Sequence, residues 1–163
     1  MKAQATSELR IPADPAYIVV AKRAASGFAY LAGFSVDAMD ELGIAITQAC
    51  ENAIRCIGGG PGSGGNLRIT FALEAQRLTV QVASSCARAA VTAEPEDPAA
   101  ATAASLRRQA EDRLAAAAAA QAAQADVQDL ALRVMGLFVD DCRYRLDERT
   151  GGLRVRLTKY RAS

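Results

Sequence analysis

The sequence predicts an α+β fold, a two-layer sandwich in which a mostly antiparallel sheet carries helices on one face. Five short stretches alternate apolar and polar residues as strands do, and four of them pair across turns as two hairpins. Segments with helical apolar spacing separate these strands. The predicted order is β-α-α-β-β-α-α-β-β. Because 163 residues are about one domain's worth, residues 1–163 are expected to form a single domain.

Caps and apolar spacing mark the first half of the chain. A strand at residues 7–11 ends at Pro12, and Asp14 followed by Pro15 is typical of a helix start. Ser35 caps a second helix of about twenty residues, which ends at a glycine-rich loop, residues 58–65. The predicted buried stripes are Ile18, Ala21, Ala25, Phe28 and Leu31 in the first helix, and Met39, Leu42, Ile46, Ala49, Cys50, Ala53 and Ile57 in the second.

The second half begins with a hairpin of residues 66–73 and 77–83. Residues 84–125 form an alanine-rich segment. Its part at 99–125 holds 15 of the chain's 37 alanines and is predicted to be a helix with few large side chains to anchor it. Strands at 142–147 and 153–160 close the chain. Before them comes a short amphipathic helix with the predicted stripe Val127, Leu130, Ala131, Val134, Leu137 and Phe138.

Composition excludes several kinds of chemistry. The chain has no histidine, which excludes Ser-His-Asp and Cys-His catalysis and histidine-ligated zinc or haem. Its four cysteines have no metal-binding spacing and are interpreted as buried, reduced thiols. A net charge of +1 predicts no nucleic-acid partner, and the basic last twenty residues are interpreted as a solvated hairpin face. With no apolar signal core or long apolar run, we expect a cytoplasmic protein without a membrane segment.

Two stretches carry a resemblance to a known family. Residues 8–57, beginning ELRIPADPAYIVV and ending ITQACENAIRCI, and residues 129–160, DLALRVMGLFVDDCRYRLDERTGGLRVRLTKY, carry it. They resemble the anti-sigma-factor serine kinases, bacterial regulators of sporulation and stress sigma factors within the histidine-kinase-like ATPase superfamily. The resemblance implies that fold, Mg-ATP as cofactor, a sigma factor or an anti-sigma antagonist as partner, and a homodimer formed through the sheet side.

The family's first nucleotide motif is Glu-x-x-x-Asn on a helix, where the resemblance implies a magnesium-binding Asn and a Glu that acts as base. Here Asn52 matches, but Gln48 stands at the base position and has no proton-accepting carboxylate. Glu51 is offset from Asn52 by about 100° around the helix and is expected not to point where Gln48 points. Asn52 is open to two interpretations, a remaining magnesium ligand or a structural polar residue between helix and sheet.

The other two motifs depart further from the family pattern. Alignment by the strand at 77–83 puts Ser84, Cys86 and Arg88 at the adenine motif Asp-x-Gly-x-Gly. The phosphate turn Gly-Leu-Gly-Leu corresponds to residues 129–132, so Asp129 and Ala131 replace its glycines. The resemblance also places the nucleotide lid where the alanine-rich segment stands. Asn52 and Ser84 therefore define a vestigial nucleotide pocket, with Asn52 as the single metal ligand if nucleotide binds.

These departures favour a regulatory binding protein over an enzyme. The leading hypothesis is an anti-sigma-type protein that sequesters a sigma factor, docks an anti-sigma antagonist, or does both, without ATP-dependent phosphorylation and with no cofactor. The alternative is an active ATP-dependent serine-protein kinase that acts on an antagonist. A third hypothesis is a subunit that forms a heterodimer with an active paralogue.

Overall fold

The computed structural model describes residues 5–86, 130–131, 133–147 and 151–162. The chain divides into two compact units, Met1–Ala87 with Ala131–Ser163, and Arg88–Leu130. The predicted helix at 99–125 and the start of the predicted helix at 127 lie outside the described residues. The complete element order and the single-domain assignment therefore stay predictions. None of the helices in the described ranges is long and apolar enough to cross a bilayer.

The first unit contains a five-stranded sheet and two long helices. The strands are β1 (Ala5–Pro12), β2 (Asn66–Glu74), β3 (Arg77–Ser85), β4 (Asp141–Asp147) and β5 (Gly152–Tyr160), in the spatial order β1-β2-β3-β5-β4. Every neighbouring pair is antiparallel. The helices α1 (Ile18–Leu31) and α2 (Val36–Cys56) pack on one face of this sheet. The predicted two-layer α+β class is confirmed.

The two predicted helix starts use the expected side chains. The Asp14 carboxylate accepts a hydrogen bond from the Ala16 N–H at 2.8 Å, and Pro15–Tyr17 form a 3₁₀ turn that leads into α1. At α2 the Ser35 hydroxyl accepts from the Ala38 N–H at 3.3 Å. Each cap satisfies a backbone donor that the first helical turn leaves without a partner.

Alternation along the strands separates a buried inner face from an exposed outer face. Inner-face residues of β2, β3 and β5 pack against α1 and α2, and Phe28 of α1 stacks on Phe71 of β2 with ring centroids 4.8 Å apart. Burying each large apolar side chain contributes about 1.5–3 kcal/mol. The largest fully buried side chains are Phe71, Leu42, Ile46, Leu67, Ile69, Leu78, Met135, Leu153, Leu157, Val80, Val82 and Val155.

Two of the predicted helical stripes were partly wrong. Leu31 is 74% exposed, because the buried stripe of α1 continues through Ala29. Before β4, residues 130, 131 and 133–135 are helical. Leu130 in this stretch is 64% exposed and Leu137 in the following turn is 79% exposed, whereas Met135 is fully buried. In both places apolar residues are neighbours in the sequence, as Tyr30 and Leu31 or Val134 and Met135 are, so the sequence alone does not decide which of them faces the core.

A buried lysine lies on the inner face near the C-terminal end of β5. The side chain of Lys159 is 11% exposed and forms an ion pair with Glu41 of α2. Its ammonium group also donates a hydrogen bond to the Phe138 carbonyl oxygen at 2.9 Å. These contacts satisfy a buried charge and connect α2, β5 and the segment that precedes β4.

Candidate functional site

The candidate site lies on the C-terminal half of α2. Gln48, Asn52 and Cys56 follow one another at four-residue steps, so they lie along one side of the helix. Asn52 is 2% exposed, and the other two side chains are half-buried. The Cys56 thiol donates to the Gly151 carbonyl oxygen at 3.3 Å, so this side of α2 reaches the turn between β4 and β5.

Gln48 contacts a carboxylate. Its amide nitrogen donates a hydrogen bond to Oε2 of Glu51 at 3.1 Å. We expected Glu51 not to point where Gln48 points, and this stays a prediction. Side chains three residues apart are neighbours on a helix surface, which brings the two into hydrogen-bond contact. Glu51 is thus an acid in direct contact with the residue at the base position, and it accepts from the neutral amide of Gln48.

Asn52 carries a buried polar atom without a partner. Its amide nitrogen has no hydrogen-bond partner among the described residues. Buried polar groups in folded proteins are nearly always hydrogen-bonded, so such an atom marks a place where a water, a ligand or another part of the chain completes the bond. The observation is compatible with both interpretations of Asn52, the metal ligand and the structural residue.

Ser84 is engaged in the sheet. It is 6% exposed and lies one residue beyond the last paired position of β3 and β5, Ala83 opposite Arg154. Its hydroxyl oxygen accepts from the Leu153 N–H at 2.9 Å, and the hydroxyl donates to the Leu153 carbonyl oxygen at 3.4 Å. The side chain thereby replaces the next backbone pair of the ladder.

The remaining motif positions are only partly described. Cys86 is exposed and follows directly after β3, which differs from the expected buried thiol. Ala131 is half-buried in the helical segment before β4. Arg88 and Asp129 lie outside the described residues, so the adenine and phosphate motifs are described only in part.

The three motif side chains that the structure describes, Gln48, Asn52 and Ser84, do not by themselves form a magnesium site. Magnesium is held by oxygen ligands, usually carboxylates together with phosphates and water. Gln48 supplies no charge, the Ser84 hydroxyl is bonded to backbone, and Asn52 remains as a single amide. Within the described ranges, no group of three or more acidic or cysteine side chains is arranged to hold a metal ion.

Cys50 lies next to the site on the buried side of α2 and is fully buried. Burial raises the pKa of its thiol to about 12, and the nearby carboxylate of Glu51 adds to the shift. The thiol therefore stays protonated and is a poor nucleophile at neutral pH. For Cys50 the interpretation as a small buried apolar residue is confirmed.

Comparison with known proteins identifies similar proteins that share one name. The chain is 32% identical over 76 residues to "Serine-protein kinase RsbW" of Bacillus licheniformis, a stretch that covers 47% of each chain. Proteins of the same name from Bacillus subtilis and Listeria monocytogenes are 35% identical over 48 residues and 31% identical over 74 residues. These matches cover 29% and 45% of this chain, and 30% and 46% of the relatives. The chain therefore spans about half the length of the Bacillus licheniformis and Listeria monocytogenes relatives, and about a third of the Bacillus subtilis relative.

A wider match covers the fold described above. Residues 11–159 match the family described as the histidine kinase-like ATPase domain. This range includes β2, β3, β4 and α1 with α2, and it reaches nearly to the end of β5. Since the match covers most of the chain, the protein belongs to the histidine kinase-like ATPase domain family.

Proposed function

We propose that this protein is a regulatory binding protein of the anti-sigma type, which sequesters a sigma factor, docks an anti-sigma antagonist, or does both, without ATP-dependent phosphorylation. The similarity to the serine-protein kinases RsbW supports the regulatory class. The observation that carries the proposal is the Ser84 hydroxyl, which is bonded to the backbone of Leu153 at the position where the resemblance implies an adenine-binding acid.

Gln48 supports the same proposal from the helix side. A general base needs a group that accepts a proton near neutral pH. An amide does not do so, and the Gln48 nitrogen already donates to Glu51. Neutral or engaged groups at these two motif positions support a role in partner binding rather than in phosphoryl transfer.

The test is a thermal shift with a phosphotransfer assay. Saturating Mg-ATP at about 100 times its Kd would stabilise the folded protein by about 2.7 kcal/mol, which corresponds to a rise in Tm of about 5–10 °C. We expect no rise and no transfer of labelled phosphate to candidate antagonists, with the Bacillus subtilis serine-protein kinase RsbW as the positive control. A clear rise with transfer would overturn the proposal.

Binding is tested by a pull-down with the sigma factors and antagonist proteins of the same genome. We expect one of them to be retained in the absence of ATP. Retention of none would contradict the binding function. Co-purification with a paralogous kinase domain would instead support the heterodimer hypothesis, and size-exclusion chromatography with light scattering distinguishes it from a homodimer.

The second candidate function is an active serine-protein kinase. The carboxylate of Glu51 next to Gln48 favours it. If this alternative holds, Glu51→Gln abolishes phosphate transfer, whereas Gln48→Glu increases it. Unchanged, background-level transfer in both variants would exclude Glu51 as the base.

A further inference from the structure

The outer face of the sheet, opposite α1 and α2, carries an accumulation of arginines. Strand register aligns its exposed side chains into two adjacent rows that cross all five strands. One row is Arg10, Arg68, Ala83, Arg154 and Arg145, and the other is Glu8, Thr70, Gln81, Arg156 and Arg143. All six arginines are exposed. The two rows therefore present six guanidinium groups and one carboxylate to the surroundings.

The charge is most concentrated on β4 and β5, in what we call the arginine quartet: Arg143, Arg145, Arg154 and Arg156. Arg143 lies directly opposite Arg156, and Arg145 directly opposite Arg154. Like charges at directly opposite positions of a sheet oppose folding. The quartet is thus an arrangement that the folded state tolerates rather than one that stabilises it.

Carboxylates of the described residues neutralise this face unevenly. Glu8 contacts Arg10 at 2.6 Å and Arg68 at 3.8 Å, and Asp141 contacts Arg143 at 3.1 Å. For the other three members of the quartet, no carboxylate of the described residues lies within 4.0 Å of the guanidinium group. Asp141 and Asp147 border the quartet at the two ends of β4.

We propose that the arginine quartet docks an acidic surface of a partner protein, with partner carboxylates seated between the opposed guanidinium groups. The planar guanidinium forms two parallel hydrogen bonds with a carboxylate, a geometry that lysine does not provide. A carboxylate placed between two arginines also removes their mutual repulsion. The inference rests on the proposed binding function, and it assigns the surface and the charge of the partner.

The dimensions and surroundings of the quartet favour a protein over a nucleic acid. Neighbouring strands are about 4.8 Å apart and alternate residues about 6.7 Å apart, so the quartet matches a few carboxylates rather than a long phosphate backbone. Sheets that bind single-stranded nucleic acid present aromatic side chains for base stacking. The two rows contain none, and acids border the quartet.

A second copy of the chain is also a poor occupant of this face. Two identical outer faces packed against each other would oppose arginines with arginines. The homodimer through the sheet side, which the resemblance implies, would therefore require the arginine quartet to lie outside the interface. Charge complementarity instead favours a different, acidic protein.

The experiment uses the full chain and a fluorescein-labelled peptide of ten glutamates, with single-stranded and duplex DNA of equal charge as comparison probes. Two double variants neutralise the opposed pairs, Arg143→Gln with Arg156→Gln and Arg145→Gln with Arg154→Gln. The matched control is Arg23→Gln with Arg55→Gln, which removes the same charge from exposed positions on the helices. Fluorescence anisotropy at low salt gives the Kd values.

We expect the peptide to bind, each pair variant to weaken it at least fivefold, and the control to change the Kd less than twofold. Removal of the repulsion should leave the Tm of the pair variants unchanged or raise it by about 1–4 °C. The proposal is overturned if the peptide does not bind, if the pair variants bind it as the control does, or if either DNA binds more tightly than the peptide.

The retained sigma factor or antagonist from the pull-down separates this inference from the proposed function. If that partner is retained equally by the pair variants and the control, the docking surface is wrong while the binding function stands. If no such partner is retained but the peptide results hold, the proposed function fails while the acidic-ligand surface stands.

Discussion

Ser84 shows how one hydroxyl group is used for structure at a position where the resemblance implies ligand binding. Its two hydrogen bonds satisfy the backbone N–H and carbonyl oxygen of Leu153 on β5, next to the C-terminal end of β3. Leu153 is 1% exposed. Loss of the hydroxyl would leave both backbone groups buried without a partner. Such groups cost about 1–3 kcal/mol.

We therefore expect Ser84→Ala to lower the free energy of unfolding by about 1–3 kcal/mol in urea denaturation. Ser85→Ala is the matched control, because Ser85 is exposed on the outer face, and a change within about 0.5 kcal/mol is expected there. Equal stability of the two variants would contradict a structural role for the Ser84 hydroxyl.

Cys50 makes the stability of the protein depend on pH in the alkaline range. Its thiol has a pKa of about 12 in the folded state and about 9 when unfolded, so the folded state retains the proton over this range. The thiol's contribution is complete below pH 9 and is lost as pH rises toward 12, at up to about 1.4 kcal/mol per pH unit. Cys50→Ala should show a smaller loss of unfolding free energy than wild type between pH 8 and 10.

Chemical denaturation at several pH values measures this difference. Cys142→Ala is a comparison variant, because burial also raises the pKa of its half-buried thiol. Parallel pH profiles for wild type and Cys50→Ala would show that the buried thiol does not titrate differently in the two states.

At the scale of elements, the glycine-rich loop after α2 is held at Gly59. The Gly59 N–H donates to the Ile54 carbonyl oxygen at 2.8 Å. A Cβ atom on Gly59 would lie 2.7 Å from the Ala13 carbonyl oxygen and 2.9 Å from Cγ2 of Ile54. The helix end and the segment after β1 therefore approach so closely that a side chain has no room.

We expect Gly59→Ala to lower the free energy of unfolding by about 1–3 kcal/mol, through forced displacement of the Ala13 backbone. A Cβ on Gly60 meets nothing within 4 Å, so Gly60→Ala is expected to be neutral or stabilising by up to about 1 kcal/mol. The midpoints of urea denaturation of the two variants measure this difference in stability. A Gly59→Ala variant as stable as Gly60→Ala would show that the loop moves without cost.

The sequence predicts the strands of this fold more accurately than the buried faces of its helices. Strand alternation has a period of two, so one set of apolar residues identifies the inner face, and β2 and β3 were predicted within two residues of their ends. Helical stripes were less certain where apolar residues are adjacent, as Leu31 and Leu137 showed. The site was least predictable, because the bond from Ser84 to Leu153 joins strands that are far apart in the chain.

At the scale of the whole molecule, the described core belongs to one of the two units. Its buried residues lie between Ile11 and Val82 and between Met135 and Leu157. The described core joins β1 to β5 with α1 and α2. Its buried apolar side chains supply the main stabilising contribution to this unit.

We expect this unit to fold when residues 88–130 are replaced by a flexible linker of about twenty glycines and serines. Halving a loop changes its closure free energy by only about 0.6 kcal/mol, which is small beside the burial of a dozen large core side chains. A single cooperative transition in urea, with strand and helix signals lost together in circular dichroism, is the expected result. A second variant with forty linker residues controls for reach. If neither unfolds cooperatively, side chains from residues 88–130 are needed to complete the core.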